Sequence, residues 1–238
     1  MIVVIGLPAY ASGAGGEGSA GGLAVEAAAA AHARGSYVEL VGKIGDDGAG
    51  DAVVLALGRL GVGHAALLRD PARPTPVLAS LSGVAVAEPE VADESGADLA
   101  GQVLAGDSGD AEPRVEVELL PADPAARPGL EAGDISLALR YLAETRVVVL
   151  AEPLSELAVA AVVEGAIFSG ARLVVVLPPG ATPPQLPPEA TLLEAPAVDD
   201  GSFGRVVGAF AAGLDADAEP AAAFAEAVRV SGWEPVAD

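Results

Sequence analysis

The sequence predicts an α/β fold in which a central, mostly parallel sheet carries helices on both faces. Three observations lead there. Short β-branched runs alternate with helix-length segments near both ends of the chain, the order that a layered fold with parallel strands requires. The runs themselves, such as residues 2–6 (IVVIG) and the VVVL of 146–150 (RVVVL), are continuously apolar, as buried strands are. Hydrophobic residues make up 52% of the 238 positions, enough to bury a sizeable core.

Taken in order, residues 2–6 form a strand closed by Gly6, and residues 7–22 form a Gly/Ser/Ala loop. Residues 23–34 (LAVEAAAAAHAR) have strong helix propensity and stop at Gly35. A second strand at 37–41 (YVELV) leads into a turn at 42–50, and Asp51 can cap a helix that runs to residue 60 before Gly61. The middle reads differently. Residues 77–86 and 114–120 look like strands, whereas 88–113 is acidic and rich in Gly, Ala and Asp, so 76–133 is expected to be an irregular region with remnant strands. Order returns with a helix at 135–144, a strand at 146–150, a helix at 155–169 and a strand at 172–177. A Pro-rich loop follows, then a Gly/Asp turn at 199–204 and helices at 206–214 and 219–230. With no internal repeat and no linker, residues 1–238 read as a single domain.

Composition excludes several functions. The chain has 34 acidic and 12 basic side chains, a formal net charge of −22, which disfavours nucleic acid and anionic membrane as partners because both need a basic face. Without cysteine there is no disulfide framework, thiolate nucleophile or Cys-ligated metal. His32 and His64 lack partners at metal-ligand spacing. No apolar stretch reaches the ~18 residues of a spanning helix, and the start (MIVVIG) lacks a basic region followed by a long apolar one. These features predict a cytoplasmic protein. One Trp, three Tyr and four Phe leave the core to Ala, Val, Leu and Gly.

Glycine supplies a first candidate site. Gly16, Gly18 and Gly21 spell G-x-G-x-x-G before a helix, with Glu39 about 20 residues on, the outline of a dinucleotide-binding oxidoreductase. The spacing argues against it, since the first glycine should follow the strand directly and nine residues separate Gly6 from Gly16.

A longer pattern runs from the Gly21-Gly22 pair through VGKIGDDGAG (41–50), LGRLGVG (57–63) and RDPARPTPV (69–77). It resembles the amino-terminal half of the ribokinase-like, or PfkB, carbohydrate kinases, in which a Gly-Gly pair starts a helix beside the sugar and a GxxGDDxxG turn follows the next strand. Residues 146–187 are similar to that family's strand-helix-strand unit with its Pro-rich loop. Residues 194–214 (EAPAVDDGSFGRVVGAFAAGL) resemble its DTTGAGD signature, which builds an anion hole at a helix N-terminus. The resemblance implies a ribokinase-like three-layer fold with ATP and magnesium as cofactors and a sugar or nucleoside as substrate. The candidate substrate-binding residues are therefore Gly21, Gly22, Glu26 and Lys43, and the anion hole falls at Gly201, Ser202, Gly204 and Arg205.

The sequence departs from the family where catalysis should be. Depending on register, the position of the general base falls on Gly204 or Arg205, and neither accepts a proton. The family's early sugar-binding Asp falls near Ala11, and the Asn after the Gly-Gly pair falls on Glu26. Neither the Asn-Glu metal motif nor the TxGxxG nucleotide segment is found, the chain is some tens of residues shorter, and the lid is reduced. The leading expectation is a non-catalytic or altered member of that family, a pseudoenzyme. The alternatives are an active kinase with Asp199 or Asp200 as displaced base, a dinucleotide-dependent oxidoreductase, and an interaction scaffold.

Overall fold

A computed structural model describes residues 1–12, 18–80, 116–119, 126–142, 144–197 and 201–233. Six strands form one sheet: β1 (Ile2–Ile5), β4 (Val38–Gly45), β5 (Leu67–Asp70), β8 (Val147–Leu150), β9 (Arg172–Leu177) and β10 (Thr191–Glu194). Their order is β10-β9-β8-β1-β4-β5, and every pairing in it is parallel. A second sheet, β3-β2-β6-β7, contains four strands of four residues each: β2 (Ala9–Ser12), β3 (Gly18–Gly21), β6 (Val77–Ser80) and β7 (Glu116–Leu119).

Period-two alternation in β1 assigns the helices to faces. Ile2 and Val4 join the core of α1 (Leu23–Ala33), α2 (Gly48–Arg59) and α5 (Ser202–Asp215). Val3 and Ile5 join that of α3 (Ala132–Tyr141) and α4 (Glu156–Ser169). The last helix, α6 (Pro220–Ser231), packs on α5, where Phe210 and Phe224 meet edge to face with centroids 6.0 Å apart. This three-layer arrangement, a parallel sheet with helices on both faces, is the α/β architecture that the sequence predicts. Among the described residues, no helix is long and apolar enough to cross a membrane.

Small residues let α1 and α5 approach closely. Ala24, Ala27, Ala28 and Ala31 of α1 are fully buried, and α5 meets this surface through Gly204 and Gly208, four residues apart on one face. A Cβ added at Gly208 would lie 2.2 Å from the Ala27 carbonyl oxygen.

Four local expectations are corrected. Residues 9–12 and 18–21, read as loop, pair as the antiparallel hairpin β2-β3. The strand expected to end at 41 continues to Gly45, because Gly42–Gly45 pair with Leu67–Asp70 of β5. Asp51 does not cap α2; Asp47 does, accepting a hydrogen bond from the Gly50 amide at 2.8 Å, so the cap lies four residues earlier and α2 begins at Gly48. The dinucleotide outline is also not realised. Gly18 and Gly21 belong to a strand rather than a strand-to-helix turn, and Gly16 lies outside the described residues. Glu39 sits near the amino end of β4, buried, accepting from the Tyr37 hydroxyl at 2.8 Å and the Ala65 amide at 3.2 Å. The strands expected at 77–86 and 114–120 appear as β6 and β7, paired antiparallel; residues 81–115 lie outside the described set.

Candidate functional site

Connections from β1 go to β4 and β5 on one side, while β8, β9 and β10 build the other. The order therefore reverses at β1/β8, and a crevice opens beyond the carboxyl ends of strands at such a point. A cleft of about 370 Å³ lies there. Its walls are the segment after β8 (Ala151 to Pro153), Pro178 and Pro179 after β9, and the starts of α1 and α5. Leu78 of β6 reaches over from the small sheet, and Phe203 contributes an apolar surface, held against Trp233 at a centroid distance of 5.9 Å.

Both helices that face the cleft begin at a glycine with positive φ, Gly22 (95°) and Gly201 (83°), and neither has a side-chain cap. L-residues rarely adopt these angles, so glycine is what lets the chain turn directly into each helix. The first backbone N–H groups of a helix have no intrahelical acceptor, and the helix dipole makes that end attractive to negative charge. For α5 the negative group comes from the protein. It has no acidic residue in its own first turn, but the Glu26 carboxylate of α1 rests against it. A Cβ on Gly204 would lie 2.4 Å from Glu26 Oε2, and one on Gly201 would lie 3.3 Å from Oε1.

Glu152 is a second carboxylate in the cleft, held by the Leu7 amide, which donates to Oε1 at 3.1 Å and ties the loop after β1 to the loop after β8. Arg127 is the one basic residue among the described lining. Two carboxylates beside a guanidinium, with apolar surface around them, suit a ligand rich in hydroxyl donors, and the volume falls in the range of small-molecule sites.

The sequence-derived candidates are distributed unevenly. Gly22, Glu26 and Gly201 line the cleft together, and Gly204 stands behind Glu26. Ser202 is buried at the start of α5. Gly21 turns to the small sheet, where a Cβ would meet Leu78 and Ala11. Lys43 lies elsewhere: its ammonium donates to Asp134 Oδ2 of α3 at 2.7 Å, on the opposite face of the sheet. Arg205 is exposed in an outer groove with His32 and Arg59. Asp199 and Asp200 lie outside the described residues. Glu152 and Arg127 carried no sequence signal beyond the position of Glu152 just after a strand.

The acidic turn has a structural role. Asp47 accepts from the Gly50 amide, from the Thr75 amide at 2.9 Å and from the Thr75 hydroxyl at 2.7 Å. Thr75 is buried, and its hydroxyl in turn accepts from the Gly45 amide at 3.0 Å. Partial burial works against the charged Asp47 carboxylate. The Thr75 hydroxyl, the Thr75 and Gly50 amides and the Arg69 charge outweigh it, so its pKa lies below the ordinary Asp value. The glycines fit this junction, since a Cβ on Gly50 would lie 2.4 Å from the Gly45 carbonyl oxygen and one on Gly45 2.5 Å from the Thr75 amide nitrogen.

No protein-family model matches the sequence, and no curated protein matches it. Solved structures match its fold. The chain superposes on Sa239 with a TM-score of 0.65 at 12% identity, covering 99% of this chain and 95% of that one. It superposes on Arabidopsis thaliana ribokinase, complexed with ribose and ATP, with a TM-score of 0.61 at 14% identity, covering 97% and 90%. The Pyrococcus horikoshii sugar kinase PH1459, in complex with ATP, gives 0.50 at 14% identity over 74% of this chain and only 53% of its own length. Ribokinase-type sugar kinases are thus structural neighbours of this chain, and at these identities what is shared is the fold.

Proposed function

We propose that this chain is a PfkB-type protein that holds a small polyol, a sugar or nucleoside, in the β1/β8 cleft and does not transfer phosphoryl groups by the route its structural neighbours suggest. One observation carries this reading: the Glu26 carboxylate rests on the N-terminus of α5, where a transferred phosphoryl group would need the backbone amides. An anionic ligand at that point meets a like charge at contact distance, in a chain whose net charge is already −22.

ATP with magnesium fits these residues poorly. Glu26 and Glu152 oppose a triphosphate, with Arg127 as the basic counterweight among the described lining residues. The two registers of the signature put the base at Gly204 or Arg205; the first touches Glu26 and the second faces the outer groove. Hydroxyl groups, by contrast, donate to both carboxylates without a charge penalty.

Calorimetry against a panel of sugars and nucleosides, with and without ATP and magnesium, tests the proposal. The expected result is saturable heat with at least one neutral polyol, weakened by Glu152→Ala, and no ADP release. ADP release that depends on the polyol and is abolished by Asp200→Asn, with the fold intact, would instead establish an active kinase with a displaced base.

A further inference from the structure

The α3/α4 face presents apolar side chains that the fold does not use. Tyr141 is 81% exposed and Phe168 85%, although the chain has only eight aromatic residues in all. Leu137 on α3 and Leu157 on α4 are exposed as well. Spacing places Leu137 and Tyr141 one turn apart, and Leu157 and Phe168 three turns apart, each pair on a single stripe of its helix. Between the helices runs a groove of about 470 Å³. Its floor is fixed by close approach, since a Cβ on Gly165 would lie 2.3 Å from Leu139 Cδ1.

The groove carries two opposite charges, Arg140 and Glu164, both exposed. Six other arginines find a carboxylate within the chain. Among the described residues Arg140 does not, nor does Glu164 find a cation, although they line the same groove. In a chain of net charge −22, two copies repel over most of their surface. The groove itself is lined by one charge of each sign, so it is complementary to itself under a two-fold rotation: Arg140 of each copy can meet Glu164 of the other. The two aromatic rings supply roughly 250–400 Å² of exposed surface, a large part of the ~800 Å² that each partner contributes to a standard interface. Aromatic residues and arginine are also the types that interfaces enrich.

We infer that the α3/α4 face is the interface of a two-fold symmetric homodimer, with Tyr141 and Phe168 as anchors and reciprocal Arg140–Glu164 pairs at the groove. This inference is independent of what the cleft binds.

Sedimentation equilibrium on the full chain tests it. The wild type is expected to be dimeric at about 100 μM, and Arg140→Glu, Glu164→Arg and Phe168→Glu are each expected to raise the dissociation constant at least about tenfold. All three sites are exposed, and far-UV circular dichroism checks that each variant keeps the fold. The deciding measurement is a mixture. Arg140→Glu alone faces Glu against Glu, and Glu164→Arg alone faces Arg against Arg, but the two together pair correctly at both contacts and are expected to form a heterodimer. A monomeric wild type, a dimer indifferent to all three substitutions, or a mixture that stays monomeric would overturn the inference.

Discussion

Replacing Asp47 should destabilise the fold, and the structure sets the size of the loss. The carboxylate accepts three hydrogen bonds, from the Gly50 amide, the Thr75 amide and the Thr75 hydroxyl. Loss of an N-cap costs ~1 kcal/mol, and each buried donor left without an acceptor costs ~1–3 kcal/mol. Asp47 is half-buried, so water replaces part of what is lost. The expected destabilisation for Asp47→Ala is about 3 kcal/mol, a fall in Tm of roughly 6–12 °C for a chain of this size. Urea unfolding followed by circular dichroism should show a lower midpoint at unchanged slope. Asp46→Ala, at an exposed neighbour outside this network, should stay within about 0.5 kcal/mol of wild type. The pH dependence has a definite sign. The folded-state pKa of Asp47 lies below the unfolded one, so its stabilisation is full above the unfolded value and is lost as pH falls through the folded value. Asp47→Asn should therefore flatten the acid limb of the stability curve below about pH 4. An Asp47→Ala variant as stable as Asp46→Ala would refute the reasoning.

Thr75→Val should cost about 1–3 kcal/mol because it strands the Gly45 amide and removes a donor to Asp47, while Thr75→Ser should recover most of it; chemical denaturation separates the two. Gly208→Val should cost at least about 3 kcal/mol in the same assay, since its Cβ collides with the backbone of α1 and only helix separation relieves it. Lys43→Met should cost about 1–2 kcal/mol, between the values for exposed and buried pairs, and leave polyol affinity unchanged because the lysine lies away from the cleft. Glu26→Gln should raise affinity for inorganic phosphate or ATP about tenfold or more by removing the like charge at the α5 N-terminus, read by calorimetry at constant ionic strength.

Most of the central sheet was legible because its strands are dense in Val, Ile and Leu and its helices have clear ends. β1, β8 and β9 and the helices between them fall within a few residues of their expected positions. The small sheet was harder to see. Gly18 to Gly21 (GSAG) has no strand propensity, and it pairs because the partner strand β2 lies alongside. β5 and β10 are four residues long and sit among proline-rich turns, so neither run is long enough to carry a period. Asp47 and Asp51 both precede apolar helix residues, and only the position of Thr75, 28 residues away, selects the first as the cap. At the site, the glycine caps were visible as glycines before helices. Glu152 and Arg127 were not, because they reach the cleft through the topology of the sheet rather than through any local motif.

The proposed loss of the anion hole follows from the packing of two helices rather than from one position. Gly208 and Gly204 let α5 settle against the alanine face of α1, and that approach carries Glu26 over the first turn of α5. In one register of the signature, Gly204 stands where the family has its base. An aspartate introduced there would put its Cβ 2.4 Å from Glu26 Oε2 and its carboxylate beside another of the same charge. Gly204→Asp alone should therefore fold poorly and gain no activity. Paired with Glu26→Ala it should recover part of that stability, because the second change removes the carboxylate and its charge and leaves only the contact with the Cβ at position 26, 2.6 Å away. Strong coupling between these two substitutions in a double-mutant cycle, exceeding about 1 kcal/mol, would show that Glu26 and a carboxylate at position 204 compete for one place. If Gly204→Asp were instead tolerated on its own, α1 and α5 would have to yield independently at that point, and the carboxylate on α5 would be an incidental contact rather than a replacement for phosphate.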